Sequence, residues 1–232
     1  MKQIRIGLVA LLMAMISVNV FAQENQGITQ GQEVDLGLSV NWAGWNIAAS
    51  SPEEYGNYYA FGVLAEGCVG QENCEGYFSN EVGVSFYQIP ANIYGKTKYD
   101  AASCFWKGKW RMPTQKEMEE LCSKCTWTWI EYNGVVGYKV KGPNGNAIFL
   151  PAAGYSCEYY GNREAVGDEL YYWSGQQISE GCCQPYYMTI SEGEPGVYVR
   201  FAFDGLPIRP VKPKATTSKN KSTTKKSNRR RR

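Results

Sequence analysis

The sequence contains no histidine, and this absence excludes several kinds of site. Serine–histidine and cysteine–histidine nucleophile pairs, histidine general bases and histidine zinc ligands all need an imidazole. Acidic residues are absent from residues 212–232, which hold ten of the 24 Lys and Arg residues. Long apolar runs are also lacking: the run at residues 6–20 spans about fifteen residues, fewer than the roughly 20 that a transmembrane helix needs.

Residues 1–22 have the layout of a cleavable secretory signal. Lys2 and Arg5 give a positive start, an apolar stretch follows, and Val20 and Ala22 occupy the positions that signal peptidase reads. A membrane anchor is the competing interpretation, but the apolar run is too short for it. No cysteine lies at the expected cut, so a lipoprotein anchor is not indicated. The sequence predicts an exported chain, in the periplasm, at the cell surface or outside the cell, without a transmembrane span after cleavage.

The remaining chain is long enough for one hydrophobic core. We expect a linker over 23–33, one domain over 34–211 and a disordered basic tail over 212–232. Residues 23–211 carry all 22 acidic residues against twelve basic ones. The tail has two interpretations: nonspecific attachment to anionic lipopolysaccharide, phospholipid or nucleic acid, or a solvated extension of an acidic domain. Nothing in it indicates a specific nucleic-acid sequence.

The hydrophobic pattern predicts an α+β domain. Val34 to Trp42 alternates as a half-buried strand, and residues 50–96 lack periodicity, which predicts long irregular loops. A short helix is expected from Tyr99 to Trp106, with Thr97 or Asp100 as its cap. Thr114 and Glu117 form a capping-box pattern for a second helix.

Beyond Cys125 the apolar residues recur at every second position and no longer with helical spacing. Asn133-Gly134 and Pro143-Asn144-Gly145 separate three alternating segments, which predicts a three-stranded antiparallel meander ending at Leu150. Tyr186 to Ile190 and Val197 to Phe203 are further expected strands. In the last of these, Val197, Val199, Phe201 and Phe203 are predicted to face one way.

Several phrases of the sequence resemble one family of secreted bacterial proteins. They are VDLGLSVNW at 34–42, YGNYYAFG at 55–62, YDAASCFWKGKWRMPT at 99–114, CTWTW at 125–129, GYKVKGPNGNAIFLPAAGY at 137–155, YYWS at 171–174 and IRPV at 208–211. In this order they resemble the Fibrobacter succinogenes major paralogous domain family. The resemblance covers nearly all of residues 34–211 and is densest from 99 to 155.

The resemblance implies a C-type-lectin-like fold, with two helices, an aromatic-rich antiparallel sheet and long irregular loops. It carries no catalytic assignment that transfers to residues here, because one fold hosts many functions. The sequence departs from the family pattern at Gly44-Trp45, in a cysteine-bearing insertion at about 63–93 and in further cysteines. These departures suggest a disulfide-braced member.

Eight cysteines follow the predicted signal, and export permits disulfides. Pairing cannot be read from the sequence, although Cys68 and Cys74 would close a short loop, and adjacent Cys182 and Cys183 are expected to find separate partners. Cys122 and Cys125 form a CxxC pattern at a helix end rather than at the start that favours a thiolate, which favours packing or structural bonding over redox activity. A four-cysteine zinc site lacks a second CxxC.

Two further chemistries, a copper site and a calcium-dependent sugar site, occur on this fold class. Formylglycine-generating enzymes hold copper with a cysteine pair, but the adjacent Cys182 and Cys183 lack the expected spacing. Calcium-dependent sugar binding needs carboxylate and amide oxygens, which Gln184-Pro185-Tyr186 and Trp173-Ser174-Gly175 do not supply. We therefore predict no metal and no cofactor.

Aromatic residues make up 14% of the chain and crowd into its later, turn-rich part. The candidate binding residues are Tyr159, Tyr160, Tyr171, Tyr172, Trp173, Tyr186 and Tyr187. Such side chains suit protein or glycan recognition, and core packing is the alternative. The leading hypothesis is a secreted or cell-surface, non-enzymatic binding module for an extracellular protein or glycan. The alternatives are an extracytoplasmic enzyme related to formylglycine-generating oxidases and a structural envelope protein.

Overall fold

The computed structural model describes residues 32–65, 85–106, 108–156 and 163–215. The predicted signal, nearly all of the predicted linker, most of the predicted tail and the Cys68 and Cys74 pair lie outside these ranges. None of the helices in the described ranges is long and apolar enough to cross a bilayer.

Strands outnumber helices in the described ranges. In chain order the elements are β1 Glu33–Val34, β2 Val40–Ala43, α1 Ala101–Phe105, α2 Gln115–Lys124, β3 Thr126–Tyr132, β4 Val135–Lys141, β5 Ala147–Pro151, β6 Tyr155–Ser156, β7 Arg163–Glu164, β8 Tyr172–Gln177, β9 Pro185–Ser191, β10 Glu194–Val199 and β11 Val211–Pro213. A single 3-10 turn, Phe86–Gln88, lies before α1 in this part of the chain.

The strands form antiparallel sheets of two or three strands. Their orders are β1-β2-β11, β3-β4-β5, β10-β9-β8 and β6-β7. Helix α2 packs against β8, β9 and β10. This architecture, mostly β-sheet with two helices in the described ranges, confirms the coarse prediction of an α+β fold.

The segment from Val34 to Trp42 follows the predicted burial but not the predicted backbone. Val34, Leu36, Leu38 and Val40 are all buried, as the alternation predicts. The backbone is strand only at the two ends, β1 and β2, because Gly37 has a φ of +79° and turns the chain between them. The prediction of one continuous strand is therefore wrong.

Asp100 sets the start of α1. Its carboxylate accepts hydrogen bonds from the Ser103 backbone N–H at 3.1 Å, the Gly95 N–H at 2.7 Å and the Met112 N–H at 3.0 Å. Because Asp100 is the N-cap, the helix begins at Ala101 rather than at the predicted Tyr99. The fully buried Asp100 carboxylate thus ties the helix to the segments that precede and follow it.

The capping box of α2 is confirmed. The Thr114 hydroxyl accepts from the Glu117 N–H at 3.2 Å, and the Glu117 carboxylate accepts from the Thr114 N–H at 2.8 Å. The same carboxylate holds Arg111 through two hydrogen bonds of 2.8 and 2.6 Å. Met118 and Leu121 then bury the inner face of the helix.

The predicted meander is also confirmed. Strands β3, β4 and β5 pair in sequence order. At the first turn Asn133 and Gly134 have φ values of +50° and +81°, the positive values that a type I′ hairpin turn requires. All five residues of β5, Ala147 to Pro151, are buried because this strand packs against the core.

The prediction that Val197 to Phe203 forms one strand, with Val197, Val199, Phe201 and Phe203 facing one way, is wrong. Strand β10 ends at Val199. The next ladder bond, from the Arg200 N–H to the Pro185 carbonyl at 3.1 Å, is not returned because Pro185 has no N–H. Val199 and Phe201 are 44% and 54% exposed, whereas Phe203 is buried. The chain turns outward here, and these apolar side chains become available to a ligand.

The two ends of the described chain meet in the β1-β2-β11 sheet. Strand β11 includes Lys212 and Pro213, two residues beyond the predicted domain boundary. Lys212 pairs with Glu33 at 2.5 Å, and Lys214 pairs with Asp35 at 2.7 Å. The segments 50–65 and 85–96 are largely irregular, as expected, and several of their apolar residues, including Tyr59 and Phe61, are buried in the core.

Candidate functional site

Two of the seven predicted aromatic residues belong to the core. Tyr172 and Trp173 are fully buried at the start of β8. The Tyr172 hydroxyl donates to the Pro151 carbonyl at 3.2 Å, and the Trp173 indole N–H donates to the Tyr59 carbonyl at 2.8 Å. Because their polar tips are satisfied inside the protein, these residues pack the fold and do not face a ligand.

Tyr171 and Tyr187 come together at the surface. Their rings stack with centroids 5.7 Å apart and planes 20° apart. Tyr187 lies on β9 and pairs with Tyr198 of β10 across the sheet. Tyr186, the neighbour of Tyr187 on β9, lines neither of the two cavities described below. Tyr159 and Tyr160 lie outside the described residues.

Arg200 organises the surface tyrosines. Its guanidinium carbon lies 4.0 Å from the centre of the Tyr155 ring and 5.1 Å from that of Tyr171. Its Nε donates to the Asp204 carboxylate at 2.5 Å. A cation held between aromatic faces and tied to a carboxylate is fixed in position, so Arg200 presents its remaining N–H groups in a defined direction.

Two tyrosine hydroxyls are held by carboxylates. The Tyr155 hydroxyl donates to Glu164 at 2.7 Å, and the Tyr171 hydroxyl donates to Glu169. The hydrogen bond to Glu164, together with burial, raises the pKa of Tyr155. Burial, together with the bond to Glu169, raises the pKa of Tyr171 well above its usual range. Both phenols therefore stay protonated at neutral pH.

Asp204 is buried, unlike a typical surface carboxyl. Burial raises its pKa above the ordinary value, although the adjacent Arg200 works against this shift. The same burial acts on Arg200, whose pKa is nevertheless raised because Asp204 and the Tyr155 hydroxyl favour its charged form. The pair is thus partly desolvated, which strengthens hydrogen bonds to any group that enters.

Two cavities open beside these residues and share Tyr187 as a wall. The arginine cavity has a volume of about 370 Å³ and is lined by Gln184, Tyr187, Val199, Arg200, Phe201 and Asp204. The glutamate cavity has a volume of about 250 Å³ and is lined by Glu169, Tyr171, Tyr187, Thr189, Ile190, Ser191 and Tyr198. Together with Tyr155 we call these residues the tyrosine–arginine site.

A third cavity has a different character. This apolar groove, of about 340 Å³, is lined by Ile47, Ala48, Asn57, Tyr59, Leu64, Phe105 and Trp106. Phe105 in its wall is 50% exposed. It lies on other elements than the tyrosine–arginine site, and its wall contains no charged side chain.

The five described cysteines all carry free thiols. Burial raises the pKa of Cys122 to about 12 and that of Cys125 to about 11, so both remain protonated at neutral pH. These values fit the packing interpretation of the CxxC pattern. Cys182 and Cys183 are likewise unbonded, and no cluster of three or more Cys, Asp or Glu in the described ranges is arranged to hold a metal ion.

Of the predicted binding residues, Tyr171 and Tyr187 lie at the candidate site, and most of its other residues were not predicted from the sequence. The missed residues include Tyr155, Glu169, Tyr198, Arg200, Phe201 and Asp204. Val199 and Phe201 were predicted to face the same way as Val197 and Phe203, but they are exposed whereas Phe203 is buried. The one available signal was Arg200, a charged residue that interrupts an aromatic strand pattern.

Comparison with known proteins adds no identification to this geometry. No protein-family model, curated protein or solved structure matches the chain.

Proposed function

We propose that this chain is an exported, non-enzymatic binding module that takes a glycan at the tyrosine–arginine site. One observation carries the proposal: Arg200 is fixed against Tyr155 and Tyr171 and tied to Asp204 at the wall of a cavity of about 370 Å³. This combines aromatic faces with fixed donors and acceptors in a concave surface, the usual character of a small-ligand site.

A glycan fits this surface better than a flat protein epitope does. A sugar ring has an apolar C–H face and a rim of hydroxyls, so it needs an aromatic wall beside groups that both donate and accept hydrogen bonds. Tyr187 and Phe201 supply the wall, while Arg200 donates and Asp204 accepts. Two adjoining cavities sharing Tyr187 give room for two consecutive sugar units.

The fold and family assigned by resemblance are part of the same proposal. A C-type-lectin-like fold of the Fibrobacter succinogenes major paralogous domain family is supported by the order of two helices followed by the β3-β4-β5 meander and by the pairing of the chain ends in one sheet. The resemblance by itself names no ligand.

The oxidase alternative receives no support from Cys122 and Cys125, and although the pKa of Cys182 is lowered, burial raises that of its neighbour Cys183. A copper site of the formylglycine-generating type needs cysteines that ionise readily, and burial holds the pKa of Cys122 and Cys125 at about 12 and about 11. A binding role asks nothing of these thiols beyond packing.

The basic tail supplies a second, nonspecific attachment in this proposal. Residues 212–232 carry ten positive charges and no negative ones. Such a segment binds anionic phospholipid or lipopolysaccharide through release of counterions, without recognising a particular partner. It would hold the binding domain at the envelope surface.

A glycan array followed by calorimetry tests the proposal. The mature chain is expected to bind one set of related glycans, and Phe201→Ala should weaken that binding at least tenfold because it removes an exposed ring from the arginine cavity. Phe105→Ala is the matched control: the same residue type, 50% against 54% exposed, in the separate apolar groove.

The paired variants also show how the proposal fails. If Phe105→Ala weakens glycan binding and Phe201→Ala does not, the site has been placed on the wrong surface. Binding to no glycan on a broad array, together with capture of a protein ligand that Phe201→Ala abolishes, would keep the site and replace the ligand class.

A further inference from the structure

We infer that the glutamate cavity takes an organic ammonium group, so that the preferred glycan carries an amino sugar with a free amine. This inference rests on the proposed function and assigns each cavity a separate chemical role. The arginine cavity holds a neutral sugar unit, and the adjoining cavity selects the positive charge of the next unit.

Three tyrosine rings surround the glutamate cavity. Tyr171 stacks on Tyr187 with ring centres 5.7 Å apart, and Tyr198 tilts against Tyr187 at 6.3 Å. Aromatic faces attract a cation through their quadrupole when it lies within about 6 Å of the ring centre. A cluster of neighbouring rings around a small cavity is the arrangement that recognises ammonium groups.

Glu169 adds a negative charge to the same wall. It accepts a hydrogen bond from the Tyr171 hydroxyl, which uses one of the roughly four lone-pair positions of a carboxylate. The remaining positions are open to a donor in the cavity, since Glu169 itself is exposed. An ammonium group supplies three N–H donors and the opposite charge, whereas a hydroxyl supplies only one donor.

The surrounding charges favour a cationic group over an anionic one. Arg200 is the basic residue of the tyrosine–arginine site, and its charge is already paired with Asp204. Glu169, in the wall of the glutamate cavity, adds a further carboxylate and accepts a hydrogen bond from the Tyr171 hydroxyl. A uronic acid or another acidic sugar would enter a region with an excess of negative charge and would be repelled.

Three tetrasaccharides with the same β-1,4 backbone test the inference on the mature chain. They are the tetramers of glucosamine, N-acetylglucosamine and glucose, titrated by calorimetry at a pH where the free amines are charged. The glucosamine tetramer is expected to bind at least tenfold more tightly than either neutral tetramer. Added salt should reduce this advantage because it is partly electrostatic.

Glu169→Gln identifies the group responsible. It keeps the size of the side chain and removes the charge, so it should reduce the advantage of the glucosamine tetramer over the two neutral tetramers to less than threefold. Glu131→Gln is the matched control, because Glu131 is an exposed carboxylate on β3, away from the tyrosine–arginine site. It should retain the full advantage.

The outcomes separate this inference from the proposed function. Equal binding of all three tetramers, lost in Phe201→Ala, would overturn the amine preference and leave the glycan site intact. An amine preference that Glu131→Gln and Glu169→Gln reduce equally would reflect the overall acidity of the domain and would overturn the assignment to this cavity. No binding of the glucosamine tetramer overturns the inference, and the glycan array then decides whether the proposed function stands.

Discussion

At the scale of single residues, Arg209 is the most unusual feature of the interior. It is fully buried, and it donates to the Asn46 side-chain oxygen at 2.8 Å, the Ala43 carbonyl at 3.2 Å and the Phe149 carbonyl at 2.9 Å. Burial lowers its pKa, but an arginine stays charged over the usable pH range. The residue joins the chain ends to the β3-β4-β5 meander.

Arg209→Lys is expected to destabilise the fold by roughly 2–4 kcal/mol, because an ammonium cannot reach three buried acceptors in the planar fork that a guanidinium offers. Urea denaturation measures the change. Arg163→Lys is the control, since Arg163 is exposed and only packs over the Tyr58 ring at 4.5 Å. It should cost less than about 1 kcal/mol. Equal losses in the two variants would show that the buried fork has no special role.

The thiols give a second prediction at this scale. Backbone N–H groups around Cys182, including that of Ser179 at 3.3 Å, lower its pKa even though burial opposes the shift. Burial holds the pKa of Cys122 at about 12. After mild reduction, iodoacetamide at pH 7.5 should modify Cys182 at least tenfold faster than Cys122, as peptide mass mapping would show. Faster modification of Cys122 would contradict the packing interpretation of the CxxC pattern.

At the scale of elements, ionisation of Glu117 at the start of α2 makes the stability of the fold depend on pH. Burial opposes ionisation of Glu117, but its bonds to Arg111 and to the Thr114 N–H hold its pKa below the usual value. A carboxyl with a lowered folded-state pKa adds stability above its unfolded pKa of about 4.3, and that stability is lost as the pH falls through the lower folded value.

Glu117→Gln should therefore reduce the free energy of unfolding by about 1 kcal/mol at pH 7 and flatten its decline between about pH 5 and pH 3. Urea midpoints at several pH values measure both effects. Glu119 lies on the same helix, is exposed, and accepts a hydrogen bond from the Gln115 side chain at 2.8 Å, so Glu119→Gln should keep the native pH profile. A native profile in Glu117→Gln would remove this carboxylate from the acid response.

The sequence predicted correctly those elements whose structure depends on interactions between neighbouring residues. The Thr114 and Glu117 capping box and the Asn133-Gly134 turn depend on a few neighbouring residues, and both were readable from the sequence. The end of β10 was not, because the alternation of apolar residues continues through Phe203. The strand ends because its partner β9 begins at Pro185, which lies opposite Arg200 and has no N–H to return the bond that the Arg200 N–H donates.

At the scale of the whole molecule, the separation of charge predicts two independent attachments. A chain ending at Ala215 keeps β11 and its ion pairs with Glu33 and Asp35 but loses eight of the ten tail charges. It should bind phosphatidylglycerol vesicles at least tenfold more weakly at low salt than the mature chain. Glycan binding at the tyrosine–arginine site should not change. Unchanged vesicle binding would move the membrane contact to the domain.

The candidate site shows why sequence reasoning stops short of function here. The crowding of aromatic residues predicted that some would bind, but burial divides them: Trp173 lies in the core and Tyr187 at the surface. The site also draws on β6, the segment just before β8, β9, β10 and the turn after β10, so residues far apart in sequence, such as Tyr155 and Arg200, meet only in the folded chain.

Calorimetric titration of Tyr187→Leu with the best glycan from the array tests the central claim most directly, because Tyr187 is the wall that the two cavities share. The expected result is a loss of at least tenfold in affinity, while the free energy of unfolding measured in urea stays within about 1 kcal/mol of the native value. Native affinity in a folded Tyr187→Leu protein would contradict the assignment of binding to the tyrosine–arginine site.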